Sequence, residues 1–212
     1  MRKDGPLTGR DRLRTVRHGA TEAARVQPDV PDRPAHDAFT RLLHRIEPDP
    51  VTLWDEVRSL VDRSAGVLVI DDTTLDKPHA RHITLVTRHW SGKHYRVVDG
   101  INLITLVWTD GDRLYPTDYR IYQKAADNKT KNDHFRDLLA AAHARGFKPR
   151  CVLFDSWYAG LDNFKQVRGY GWVFLGRLQG NRLVRLDHGV PAPVAELPIA
   201  ATGTVVWLPG FG

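Results

Sequence analysis

Two stretches decide how this chain folds: Val67-Leu68-Val69-Ile70-Asp71-Asp72 and Cys151-Val152-Leu153-Phe154-Asp155. Each is a short, uninterrupted apolar run, the pattern of a strand covered on both faces at the centre of a sheet. Each runs straight into aspartate. Between them, Asn132 to Arg145 puts Phe135, Leu138, Leu139 and Ala142 on one helical face, with Gly146 at the C-cap position and Pro149 beyond it. A helix ahead of the second strand suits a crossover, which makes the two strands parallel and brings their C-terminal ends to one edge of the sheet. Open α/β sheets place their sites at that edge.

Outward from these strands the pattern stays consistent with a mixed α/β sheet. Ile83 to Trp90, Val97 to Thr109 and Arg113 to Tyr122 are strand-like, with Asp110-Gly111-Asp112 as the turn before the last, and together predict an antiparallel meander. After Asp155, Ser156 is placed to cap a helix carrying Leu161, Phe164 and Val167, and Trp172 to Leu175 is a further strand. Upstream, Phe39, Leu42, Leu43 and Ile46 recur at helical spacing, and Leu53, Trp54, Val57, Leu60 and Val61 do so again. Residues 1–35 are rich in Arg, Pro and Gly and read as a loosely ordered arm. Beyond Gln179 only short strand-like pieces occur, Leu183 to Leu186 and Thr204 to Leu208.

Composition narrows the chemistry. The 212 residues, 42% of them apolar, suffice for one core. No apolar run is long enough to span a membrane, and the N-terminus lacks a signal-peptide stretch, so the expected location is the cytoplasm or nucleoid. A single cysteine excludes an internal disulfide and agrees with a reducing interior. Net charge is +6, and its distribution is uneven. Residues 77–98 hold Lys77, Arg81, Arg88, Lys93, Arg96 and four histidines without one acid, and residues 113–150 hold nine Lys or Arg against four Asp. A solvated basic face is the plain reading; a nucleic-acid footprint is the functional one. Of the six tryptophans, Trp90, Trp108 and Trp172 lie in strand patterns and are expected in the core, whereas Trp157 directly follows the second acidic stretch.

The two strand-terminal acids carry the chemical argument. Neighbouring strands lie about 4.8 Å apart, close enough for two carboxylates to share a cation. Carboxylate oxygens suit Mg²⁺ or Mn²⁺, hard ions that keep several waters and accept phosphate oxygens, and no Cys or His cluster offers a zinc site. An aspartate after a strand can also simply cap a helix or start a turn.

At these positions the chain resembles a family. Asp71-Asp72-Thr73-Thr74-Leu75-Asp76-Lys77-Pro78 and Phe154-Asp155-Ser156-Trp157-Tyr158-Ala159-Gly160 resemble the first two signature blocks of bacterial insertion-sequence transposases of the DDE superfamily. The resemblance runs from about His36 to the end. It implies a ribonuclease-H-like core, with Asp72 and Asp155 as the first two metal-binding carboxylates; one residue of strand register would exchange Asp71 for Asp72. It also implies two divalent ions around a scissile phosphate, double-stranded DNA as partner at transposon ends and target, and the possibility of a homo-oligomer. Lys77, Arg81, Lys129 and Lys131 are the basic residues expected on the phosphate backbone. On this reading residues 1–64 are a basic arm with N-terminal helices, 65–178 the first part of the catalytic core, and 179–212 the start of a β-rich insertion.

One element of the family's pattern is missing. The third acid, a glutamate on a downstream helix within a Tyr-Arg-Glu-Lys type pattern, has no counterpart; after Asp155 the acids are Asp162, Asp187 and Glu196. The expectation is therefore a truncated frame, inactive by itself, with a non-catalytic DNA-binding remnant as the alternative. A receiver domain would need a helix directly after its acidic pair, and a haloacid-dehalogenase-type phosphatase an Asp-x-Asp-x-Thr pattern. Neither is present.

Overall fold

The computed structural model describes residues 24–27, 31, 33–45, 49–80, 83–92, 94–187 and 189–211. The chain forms two compact units, Met1–Pro48 and Asp49–Gly212. In the first, helix α1 (His36–Arg45) carries an Asp37–Arg41 ion pair one turn apart at 2.5 Å. Most of the arm, and Ile46, lie outside the described residues.

The second unit begins with helix α2 (Pro50–Val57), started by Asp49, whose carboxylate accepts the Val51 amide at 2.6 Å, and by proline at the first helical position. It is built around a six-stranded mixed sheet: β1 (Val67–Asp76), β2 (Thr87–Ser91), β3 (Arg96–Thr109), β4 (Leu114–Tyr122), β5 (Cys151–Phe154) and β6 (Phe174–Gly176). The meander β1 to β4 is antiparallel: β3 takes β1 along one edge and β2 and β4 along the other. β5 joins β1 in parallel, Ile70 opposite Phe154, and β6 joins β5 in parallel. The short helix α3 (Lys124–Asp127) and helix α4 (Lys131–Ala144) make the crossover to β5; helix α5 (Leu161–Gly169) connects β5 to β6. The fold is a mixed α/β sheet, as the residue pattern predicts.

α4 supplies the cover. Thr130 and Asp133 form a reciprocal capping box at its start, satisfying two amides that a helix N-terminus leaves open. Its buried stripe, Phe135, Leu138, Leu139 and Ala142, packs with Leu68, Ile70, Val152 and Phe154 in one core. Phe135 meets the Phe154 ring edge-on at 5.2 Å and stacks on Tyr158 at 5.1 Å. At the entry to β1, Gly66 has φ +79°, and a Cβ there would stand 2.5 Å from the Trp108 indole nitrogen. Only glycine fits.

Several local expectations shift. β1 continues six residues beyond its apolar run because Asp71–Asp76 pairs in register with Thr105–Gly100, and backbone pairing is indifferent to polar side chains. Ser156 caps no helix: Asp155 to Ala159 forms turns, and α5 starts at Leu161 after Gly160. Trp108 and Trp172 are buried, but Trp90 is 62% exposed. On the edge strand β2, His89 and Ser91 take the inward phase, so Trp90 falls outward. Among the described residues of the tail, Leu183–Val184 pairs with Ala192–Pro193 and Arg185 bridges to Trp207.

Candidate active site

Because successive strand residues point to opposite faces, the adjacent aspartates of β1 part company. Leu68, Ile70 and Asp72 share the face beneath α4; Val69 and Asp71 share the other. Asp72 sits in a full set of donors. Its Oδ2 accepts Asn102 Nδ2 at 2.8 Å and Lys131 Nζ at 2.8 Å, and its Oδ1 accepts the Tyr158 hydroxyl at 3.1 Å. Asn102 and Tyr158 are fully buried. Burial, and then the negative charge of Asp72, push the Tyr158 hydroxyl far above the usual phenol range, so it remains a donor.

Asp71 looks into a cleft of about 520 Å³ that Asp155 also lines, together with Val69, Leu153, Leu175 and Arg177. Burial raises the Asp71 carboxyl above the ordinary carboxylate range. The charges of Asp155 and Asp72 push the same way, against the Asp72 backbone amide that bonds it at 2.8 Å and the Lys131 charge. Asp155, exposed just past the end of β5, accepts the Trp157 amide at 2.9 Å, which makes the tight turn that follows. The sheet edge therefore carries three carboxylates of differing environment, with only hard oxygen donors and one ammonium among them. That chemistry fits a divalent cation. Among the described residues no three His, Cys, Asp or Glu side chains are grouped so as to hold a metal ion by themselves.

By sequence, residues 23–198, more than four-fifths of the chain, match the DDE superfamily endonuclease family. The chain belongs to that family. DDE endonucleases use divalent metal ions, in keeping with the donor set just described. No curated protein matches the sequence. Among solved structures, this DDE chain is similar to the piggyBac transposase in a synaptic complex with hairpin DNA. There the identity is 14% and the TM-score 0.43, over 70% of this chain and 34% of that one. It is also similar to the Drosophila P element transposase in a strand transfer complex, at 10% identity and TM-score 0.38, over 90% of this chain and 48% of that one. The chain thus spans about a third and about half of those two lengths. Family membership rests on the sequence match.

The basic residues expected on DNA have separate fates. Lys131, at the start of α4, stands at the site; Lys129 is ion-paired with Asp137 at 2.6 Å. Lys77 is exposed where β1 ends, and Arg81 lies outside the described residues. Sequence reasoning passed over Asn102 and Tyr158. A signal for the first existed: Asn102 occupies the inward phase of Asn102, Ile104, Leu106 and Trp108, where an amide in an apolar series needs a partner. For Tyr158 nothing local distinguished a packing ring from a hydrogen-bond donor. No helix among the described residues is long and apolar enough to cross a membrane.

Proposed function

We propose that this DDE endonuclease chain carries the metal- and DNA-binding part of a transposase site that cuts and joins phosphodiesters at the ends of an insertion sequence. The observation that carries this reading is the meeting, at one sheet edge, of the β1 and β5 aspartates in a chain of this family. Asp72 and Asp155 are the carboxylates assigned to Mg²⁺ or Mn²⁺, with Asp71 the neighbouring acid that shares the cleft with Asp155. A divalent ion so held supplies Lewis acidity to the scissile phosphate and lowers the pKa of an attacking water or hydroxyl. The protein's own groups do the rest. Asn102 and Tyr158 hold the Asp72 carboxylate in one orientation, and the Asp155 turn fixes the second carboxylate against the Trp157 amide. Lys131 and the exposed Lys77 supply positive charge for the DNA backbone.

The site is read as partial. Among the described residues no three acids are grouped so as to hold a metal ion by themselves, so the positioning of a second ion, on which in-line displacement depends, is incomplete on this reading. This chain is expected to bind duplex DNA and a divalent ion in the cell's DNA-containing compartment without cleaving transposon ends unaided. A cleavage assay on duplexes carrying candidate ends, with Mg²⁺ or Mn²⁺, tests this beside a binding titration. Binding without cleavage is the expected result. Cleavage that disappears on Asp155→Ala would show a complete site, and absence of DNA binding at low salt would overturn the function. The alternative of a DNA-binding remnant without a metal role rests on the same missing acid; Mn²⁺ binding abolished by Asp155→Asn excludes it.

A further inference from the structure

The Asp72 carboxylate is engaged by three donors, and they differ in their freedom to leave. Asn102 is buried in β3 and gives further bonds to Thr74 Oγ1 at 3.1 Å and the Thr73 carbonyl at 3.4 Å. Tyr158 is buried, stacked on Phe135, and its carbonyl accepts Asn163 Nδ2 at 2.8 Å. Withdrawing either would open the core. Lys131 stands on a flexible four-carbon stem in the first turn of α4, with its side chain 17% exposed. Apart from Asp72, among the described residues its ammonium rests over aromatic faces, 5.6 Å from the Tyr122 centroid and 5.6 Å from that of Trp157, itself 58% exposed. Such cation–π contacts are weak beside a desolvated ion pair. An ammonium 2.8 Å from Oδ2 stands where a divalent ion bound by that oxygen would have to sit.

We propose that Lys131 is a cationic place-holder: a divalent ion and the Lys131 ammonium compete for the Asp72 carboxylate, so binding of the ion frees Lys131 to take a DNA phosphate. The proposal rests on Asp72 being a metal ligand. It links the two binding functions in one direction, because each ion bound at Asp72 turns an internally neutralised lysine into a free positive charge beside the cleft. In the metal-free protein the same lysine offsets the mutual repulsion of Asp71, Asp72 and Asp155.

The test uses the whole chain and Mn²⁺ alone, without DNA. Calorimetric titration should show Lys131→Met binding Mn²⁺ about fivefold tighter than wild type or better, since a competing cation is gone. Lys131→Arg, which keeps the charge, should bind no tighter than wild type and shows that the position tolerates substitution. Independently, acetic anhydride labelling of Lys131, read by peptide mass spectrometry, should rise when Mn²⁺ is added and should already be high in metal-free Asp72→Asn. Unchanged or weaker Mn²⁺ binding by Lys131→Met, or labelling indifferent to Mn²⁺, overturns the place-holder. If Asp72→Asn binds Mn²⁺ as wild type does, Asp72 is not a ligand and the underlying site assignment falls with it. Loss of binding in Asp72→Asn with no gain in Lys131→Met leaves the site standing and removes only the place-holder.

Discussion

The two faces of the central strands β1 and β5 are made from the same residue types and behave differently. Beneath α4, Leu68, Ile70, Val152 and Phe154 are buried; on the opposite face Val67, Val69 and Leu153 are half-covered, and Leu175 of the neighbouring strand β6 is exposed. The aspartates divide along the same line. Asp72, on the packed face, has donors on both carboxylate oxygens, whereas Asp71, one residue earlier, shares an open cleft with Asp155 and is pushed toward holding its proton. Chemical role at this sheet edge follows from strand phase as much as from residue identity.

The largest expected effect contrasts packing on the two faces. Phe135→Ala removes a ring held between Phe154 and Tyr158 and should cost about 3–5 kcal/mol in urea denaturation. Leu175→Ala on the open face should stay within about 0.5 kcal/mol. Comparable losses at both positions would mean that the open face is covered in solution.

The aspartates should separate in the same way. In metal-free buffer at pH 7, Asp72→Ala leaves the buried Tyr158 hydroxyl and part-buried Lys131 without this acceptor and should cost about 1–3 kcal/mol. Asp71→Asn should leave stability unchanged or slightly higher. Folding raises the Asp71 pKa, so its ionised form opposes folding once the pH exceeds the unfolded value, and a neutral amide removes that opposition. Equal losses for the two variants, measured side by side by urea denaturation, would contradict the division by face.

A smaller effect concerns the cation. Mg²⁺ or Mn²⁺ at tenfold its dissociation constant should stabilise the chain by about 1.4 kcal/mol. Thermal melts should show this shift reduced or lost in Asp155→Asn. Retention of the full shift would move the ion away from β5.

The smallest effect lies at the turn that presents Lys131. Thr130→Ala deletes one half of the capping box and should cost about 1 kcal/mol in urea denaturation. The Thr130 hydroxyl and amide hold the Asp133 carboxyl at a pKa of about 2. Since that value is depressed, the contribution of Asp133 is present above the unfolded carboxylate pKa and is lost as the pH falls through about 2. A carboxyl carbon titration of Asp133 by NMR should therefore reach its midpoint near that pH, and an ordinary midpoint would show the box open.

Much of this was legible in residue order alone. Two apolar runs closed by aspartate, separated by an amphipathic helix, dictate parallel neighbours, because the crossover rule leaves few other ways to return the chain. The meander was legible for the same kind of reason: period-two alternation and turn residues are local properties. The blocks around Asp72 and Asp155 pointed to the DDE superfamily, which the match over residues 23–198 establishes. Tertiary structure alone decided which aspartate faces α4 and which the cleft. A strand shifted by one residue exchanges every side chain between faces, and that register is set by β3 and β5, far away in sequence. The groups around Asp72 were hidden for a related reason. Asn102, Lys131 and Tyr158 lie 30, 59 and 86 residues further along the chain, and only sheet pairing and the packing of α4 bring them to one carboxylate. No local propensity encodes a contact that exists only once the sheet has closed.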